Sequence, residues 1–297
     1  MNKIHLLDNG LINKIAAGEV VERPASVVKE LMENSIDAGA TSITVEIAEG
    51  GTSVIKITDN GKGIPKDEIR TAFMRHATSK IDSFEELENV LTLGFRGEAL
   101  SSIASVAQVE MLTRTESDSM GTRIVINGGV VDREEECAAN VGTVFYVKNI
   151  FFNTPARRKF LKKPATEGSY ISEIVNRIAL GHPNIAIKYI NNGNIVLQTN
   201  GDGNVKNSLF YIYGKDIASK MLNLESEKEG YILKGLVGKP ELSRGNRNYE
   251  NFFINGRFIK STLVQNAVED AYKNKIMIGK FPIFALNLIV PSNTVDV

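Results

Sequence analysis

Residues 24–59 constrain the fold class more tightly than any other stretch, because one helix is followed directly by two strands. Pro24 suits a helix start and Gly39 supplies a stop, so 24–38 reads as a single helix. Val28, Leu31, Met32 and Ser35 recur at helical spacing and form its packing face. Ile43, Val45 and Ile47, then Val54, Ile55 and Ile57, mark two strands joined by a Glu49–Gly50–Gly51 turn. Helices and strands keep alternating to about residue 200, through an amphipathic helix near 166–180 and a hairpin turning at Asn192-Gly193. The GDGN run at 201–204 reads as a linker. Beyond it come helices near 205–213 and 261–275 and strands near 231–237, 250–259 and 283–290. The expectation is an α+β protein of two domains, 1–200 and 201–297.

The same helix and hairpin carry chemistry. Glu30, Asn34 and Asp37 follow an i, i+4, i+7 stripe beside the packing face, so a carboxylate and a carboxamide project into one small volume. Mg²⁺ takes one or two protein oxygens together with phosphates and water, and the Asn34 carbonyl could supply one. Glu30, one turn earlier, is placed to orient or deprotonate a water. Read alone, the stripe is more readily an ordinary solvated helix face.

DNGKGI at 59–64 puts Asp59 at a strand end, followed by Gly61 and Gly63. Glycines let a flat ring or a phosphate approach the backbone. A carboxylate only accepts hydrogen bonds, so it suits the exocyclic amine of adenine and repels the carbonyl of guanine. The alternative is a common Asp-Asn-Gly turn. In LGFRGEAL at 93–100, Gly94 and Gly97 bracket Phe95 and Arg96, and Glu98-Ala99-Leu100 opens a helix. Backbone N–H groups at such a start form an anion site. Upstream, Thr78, Ser79 and Lys80 add hydroxyls and a cation, so 75–97 reads as a lid. No GxxxxGK[ST] run occurs, which excludes the ordinary P-loop.

These islands, in this order, resemble those of the gyrase, chaperone, histidine-kinase and MutL ATPase superfamily. IAAGEVVERPASVVKELMENSIDAGA at 15–40, RHATSK at 75–80, GFRGEALSSI at 94–103 and NTPARRKFL at 153–161 are similar to the N-terminal region of the MutL mismatch-repair family. The resemblance implies a two-layer α/β sandwich ATPase domain followed by a ribosomal-protein-like α/β domain, C-terminally truncated here. It implies Glu30 as general base, Asn34 as the Mg²⁺ ligand and Asp59 as the reader of adenine. Asp37 would also line the nucleotide site. Gly63 would make room for the base, and Thr143, on a strand, would back the pocket. Lys80, Gly94, Phe95, Arg96, Gly97 and Leu100 would surround the phosphates of ATP, with Thr78 and Ser79 beside them.

As partners the resemblance implies DNA held without sequence preference, the mismatch-recognition protein MutS, a downstream nuclease or helicase, and a second copy on ATP binding. The N-terminal arm around Leu6–Gly18 would pack across that second copy. The chain stops at TVDV, before a family loop whose lysine reaches the γ-phosphate, so slow hydrolysis is expected of this piece. A topoisomerase ATPase subunit would share the pocket but not NTPARRKFL or the AAGEVVERP opening. A histidine kinase needs a phosphoacceptor histidine on a helical segment, a setting that none of the three histidines has. A non-hydrolysing DNA-binding scaffold would leave Glu30 and Asn34 as ordinary surface.

Composition is consistent with this reading. The 297 residues suffice for one large or two ordinary domains. No membrane-length apolar run or signal pattern is present, the single Cys137 excludes an internal disulfide framework, and His5, His76 and His182 form no ligand cluster. A reduced bacterial cytoplasm is expected. The 35 basic and 35 acidic side chains balance, so global charge says nothing of DNA. Local clusters do: Arg157, Arg158, Lys159, Lys162 and Lys163, then Arg244, Arg247, Arg257 and Lys260. Such clusters suit phosphate contacts or merely solvate a surface. Arg157, Arg158, Lys159 and Arg257 are the expected DNA contacts.

Overall fold

The computed structural model describes residues 18, 20–78 and 97–291. The chain divides into two units. The described residues of the first are 18, 20–78, 97–175 and 187–196, and those of the second are 176–186 and 197–291.

The first unit opens with α1 (Pro24–Asp37), the strands β1 (Ser42–Ala48) and β2 (Val54–Asp59), and the short α2 (Ile69–Ala72). Then come α3 (Ala99–Val106), β3 (Gln108–Arg114), β4 (Gly121–Asn127), β5 (Val130–Cys137) and β6 (Gly142–Lys148). α4 (Pro155–Phe160), α5 (Pro164–Gly181), β7 (Ala186–Asn191) and β8 (Asn194–Gln198) follow, with α5 running on into the second unit. The strands form one sheet in the order β5-β4-β3-β6-β2-β1-β7-β8. Along β1 and β2 every second residue is buried, as expected of a sheet covered on one face. α1 supplies part of that cover: Val27, Val28, Leu31 and Met32 are buried with Ile43, Val45, Ile55 and Ile57. The opposite face carries charge. Lys56 pairs with Glu46 at 2.6 Å, and Glu110 receives Arg123 at 2.8 Å and Lys148 at 3.0 Å. Helices on one face and a charged ladder on the other make this the two-layer sandwich that the sequence implies.

The second unit contains α6 (Val205–Tyr213), α7 (Lys215–Ala218), β9 (Met221–Lys228), β10 (Tyr231–Gly238), β11 (Glu250–Ile254), β12 (Arg257–Phe258), α8 (Thr262–Ala271) and β13 (Phe284–Ile289). Its sheet runs β12-β11-β13-β10-β9, with β11 parallel to β13 and the other described pairs antiparallel. Leu209 of α6 joins Leu236, Phe253 and Ile283 in one core cluster, while Val264 and Val268 of α8 pack on Phe252, Phe284 and Leu286 in another. The sheet is therefore clad on both faces.

Two details differ from the sequence expectation. The strand expected over 250–259 is a hairpin, β11–β12, turning at Asn255 and Gly256 with φ of 49° and 82°. Both values are positive, as a two-residue Asn-Gly turn requires. β9 was not anticipated, because MLNLESEK at the sheet edge is mostly exposed and carries little apolar alternation. Among the described residues no helix is long and apolar enough to cross a membrane.

The second basic group is partly consumed by the fold. Arg247 grips Glu269 through two hydrogen bonds of 2.6 and 3.1 Å, and its guanidinium lies 4.1 Å from the Phe281 ring centroid. Arg244 donates to the Leu242 carbonyl at 2.9 Å and lies over Tyr249. Both side chains are thus engaged in contacts within the second unit. Beside them Glu250 is buried, and burial together with the Glu269 charge pushes its carboxyl up to about 7 against the opposing pull of Arg247. The folded state therefore holds a proton that the unfolded chain has lost above its ordinary 4.5. Stability should fall as pH rises from about 4.5 to about 7 and then level. Glu250→Gln should flatten that decline, as read from melting temperatures across pH 5–8 (about three pH units).

Candidate active site

The candidate site is built on a row of three adjacent strands. Register sets Asp59 of β2 opposite Thr143 of β6, and Thr143 opposite Thr113 of β3. All three are buried. Asp59 Oδ1 accepts the Gly61 N–H at 2.9 Å and the Thr143 N–H at 3.3 Å, while Oδ2 accepts the Ser35 hydroxyl at 2.8 Å. A carboxylate offers about four acceptor sites, so the one left is on Oδ2. Burial pushes this carboxyl above its ordinary value, and the Gly61, Ser35 and Thr143 donors oppose that shift by favouring the ionised form.

The loop after β2 is held from both sides. Asn60 turns the other way and accepts the N–H groups of Thr41 and Ser42 at 2.9 and 2.8 Å. Lys62 N–H donates to the Ala38 carbonyl at 3.0 Å, and Ile64 N–H donates to Thr113 Oγ1 at 2.9 Å. Gly63 has φ +72°, and a Cβ there would sit 2.2 Å from the Arg114 carbonyl oxygen. Close approach to β3 alone demands glycine at this position. Thr113 was not singled out from sequence. Its hydroxyl lies 3.1 Å from that of Thr143, so it ties the row together.

On α1, Glu30, Asn34 and Asp37 are half-buried rather than fully solvated, while Ser35 on the adjoining side reaches Asp59. Lys29 bridges two carboxylates, 3.0 Å from Glu30 Oε1 and 3.0 Å from Glu33 Oε2. Burial works against its ammonium, yet Glu30 and Glu33 raise its pKa above the ordinary value. Neither Lys29 nor Glu33 was a sequence candidate. An i, i+4 pair of opposite charge was the available signal for the Lys29–Glu33 contact.

The third island meets its upstream partner at the start of α3, which packs against α1. Gly97 has φ +61°, and a Cβ there would lie 2.6 Å from the Ala77 carbonyl oxygen. Glu98 Oε1 is 3.2 Å from His76 Nδ1 and 3.6 Å from Arg75 Nη2. Gly97 and Leu100 thus lie, half-buried, at the mouth of a helix whose first turn lacks a side-chain cap, and Thr78, next after Ala77 in the chain, is half-buried too. Ser79, Lys80, Gly94, Phe95 and Arg96 lie outside the described residues, as does the arm at 6–17. Of the expected DNA contacts, Arg158 and Lys159 on α4 are exposed. Arg157 is half-buried, with its guanidinium at the position a Gly18 side chain would take. Arg257, in the second unit, is half-buried on β12.

Comparison with known proteins matches this architecture. The family described as histidine kinase-, DNA gyrase B- and HSP90-like ATPase matches residues 22–141, and the family described as DNA mismatch repair protein, C-terminal domain, matches residues 209–297. The DNA mismatch repair protein MutL of Agathobacter rectalis is 54% identical over 286 residues, covering 96% of this chain and 44% of that protein. The MutL of Caldanaerobacter subterraneus subsp. tengcongensis is 47% identical over the whole chain and 50% of its own length. The chain spans about half the length of the curated relatives it matches. Among solved structures, the Aquifex aeolicus MutL ATPase domain complexed with ADP superposes with a TM-score of 0.71 at 27% identity, over 92% of this chain and 93% of that one. By these matches the chain belongs to the MutL family of DNA mismatch-repair proteins and carries its ATPase-type domain.

Proposed function

We propose that this chain is the ATP-driven switch of a mismatch-repair protein, with residues 1–200 binding nucleotide and 201–297 forming the second domain. The observation that carries the reading is Asp59, a buried carboxylate with three acceptor sites filled by the protein and one left on Oδ2. An amine donor completes it, and a carbonyl is repelled, which selects adenine over guanine. Glu30 accepts a proton from water as the water oxygen bonds to the γ-phosphorus and the bond to the β-phosphate breaks, giving ADP and phosphate. Lys29 holds Oε1 of Glu30, so the other oxygen is the one that takes the proton. Asn34, with a half-buried carboxamide, fits a hard divalent cation through its carbonyl oxygen, and Mg²⁺ there would neutralise charge on the phosphates. The N–H groups at the mouth of α3 face the same negative charge.

ATP binding favours a closed, dimeric state through its higher affinity for that state. Two copies clamp DNA, with Arg157, Arg158, Lys159 and Arg257 on its phosphates, and the clamp couples MutS to a nuclease or helicase in the bacterial cytoplasm. The first test is calorimetric titration of the chain with non-hydrolysable ATP and GTP analogues and Mg²⁺. Binding of the adenine analogue at least about thirty-fold tighter is expected, the worth of one charged hydrogen bond plus the repulsion avoided. Equal affinities would end the assignment of Asp59.

A further inference from the structure

α4 differs from the other helices of at least six residues in the first unit: none of its residues is buried, and its last turn carries Arg157, Arg158 and Lys159. Pro155 opens it and Pro164 opens the next helix, so a short arm is framed by two prolines. Arg158, Lys159, Lys162 and Lys163 are all exposed along that arm. Phe160 stands among them at 82% exposure. The one acidic side chain between 149 and 172, Glu167, is buried and accepts the Lys162 N–H at 2.9 Å, so none within that stretch is exposed among these cations.

A bare phenyl ring among cations fits a partner that pairs a negative backbone with flat apolar faces. Single-stranded nucleic acid has both, whereas a duplex buries its base faces against one another. We propose that Phe160 stacks on an unpaired base while Arg158, Lys159, Lys162 and Lys163 follow the phosphates on either side. The arm is then a sensor of unpaired strand, a property that phosphate contacts alone cannot confer. The inference rests on the reading that this surface meets DNA.

Fluorescence anisotropy with an oligothymidylate, an abasic strand of equal length and a duplex tests it, using the whole chain. Phe160→Ala should weaken the oligothymidylate by roughly five- to 150-fold, the range found for one stacked base, and leave the other two within about two-fold. Lys159→Ala should weaken all three and flatten the salt dependence. Equal loss on the abasic strand, or no loss at all, overturns the stacking role while leaving DNA binding intact. A wild-type chain that binds none of the three overturns both readings. If Phe160→Ala changes only the mass measured by light scattering, a second copy covers the ring and the proposal is wrong.

Discussion

Asp59→Asn is expected to cost at least about a hundred-fold in affinity for an adenine nucleotide while leaving the fold intact. Oδ1 accepts two backbone N–H groups, from Gly61 and Thr143, and that position requires oxygen. The new amide nitrogen must therefore occupy the Oδ2 site. Ser35 can turn to accept from it, but the ligand amine then meets a donor instead of an acceptor. A charged hydrogen bond is lost and a repulsion gained, together on the order of 3 kcal/mol or more.

Stability should move the other way. Burial raises the pKa of Asp59, so keeping the group ionised disfavours the folded state above its unfolded value. Removing that charge should leave the melting temperature unchanged or raised at neutral pH. Calorimetry and thermal melting of the same variant separate the two effects, and wild-type affinity in Asp59→Asn would remove the assignment. Ser35→Ala is the graded control, with a loss of about ten-fold or less, since one neutral donor is deleted and the carboxylate remains.

What could be read from sequence and what could not divides along the range of the interaction. The helix at 24–37, the hairpin at 42–59 and the strand-end position of Asp59 follow from local periodicity and punctuation, and each is present. The anchoring of Asp59 is another matter. Thr143 lies 84 positions away and reaches it only through the β2–β6 register, while Thr113 enters through β3. Ser35 was placed on a packing face, which is correct, but periodicity cannot say that its neighbour across the interface is a carboxylate. Arg247 shows the same limit in reverse. Sequence counts it as a cation, and Glu269 and Phe281 decide that it is a strut.

Glu30→Gln should separate binding from hydrolysis. Glutamine keeps the shape of the side chain and its place on α1 but cannot take a proton, so phosphate release should fall by roughly a hundred- to ten-thousand-fold. Nucleotide affinity should stay within about three-fold, because Glu30 is assigned to the attacking water and not to the bound ground state. The neighbouring ion pairs limit the structural damage. Lys29 loses the charge of Glu30, although the glutamine carbonyl oxygen can still accept from it, and it keeps its ion pair with Glu33, whose side chain is half as exposed, at 12% against 24%. Lys29→Met is the informative companion. It leaves the base in place but releases Oε1, so kcat should drop by less than in Glu30→Gln, with KM for ATP little changed. Steady-state phosphate release by the whole protein is the assay, since this chain spans about half the length of its relatives. Full turnover in Glu30→Gln would mean that a group other than this carboxylate activates the water. Loss of both binding and turnover would make Glu30 part of the pocket wall.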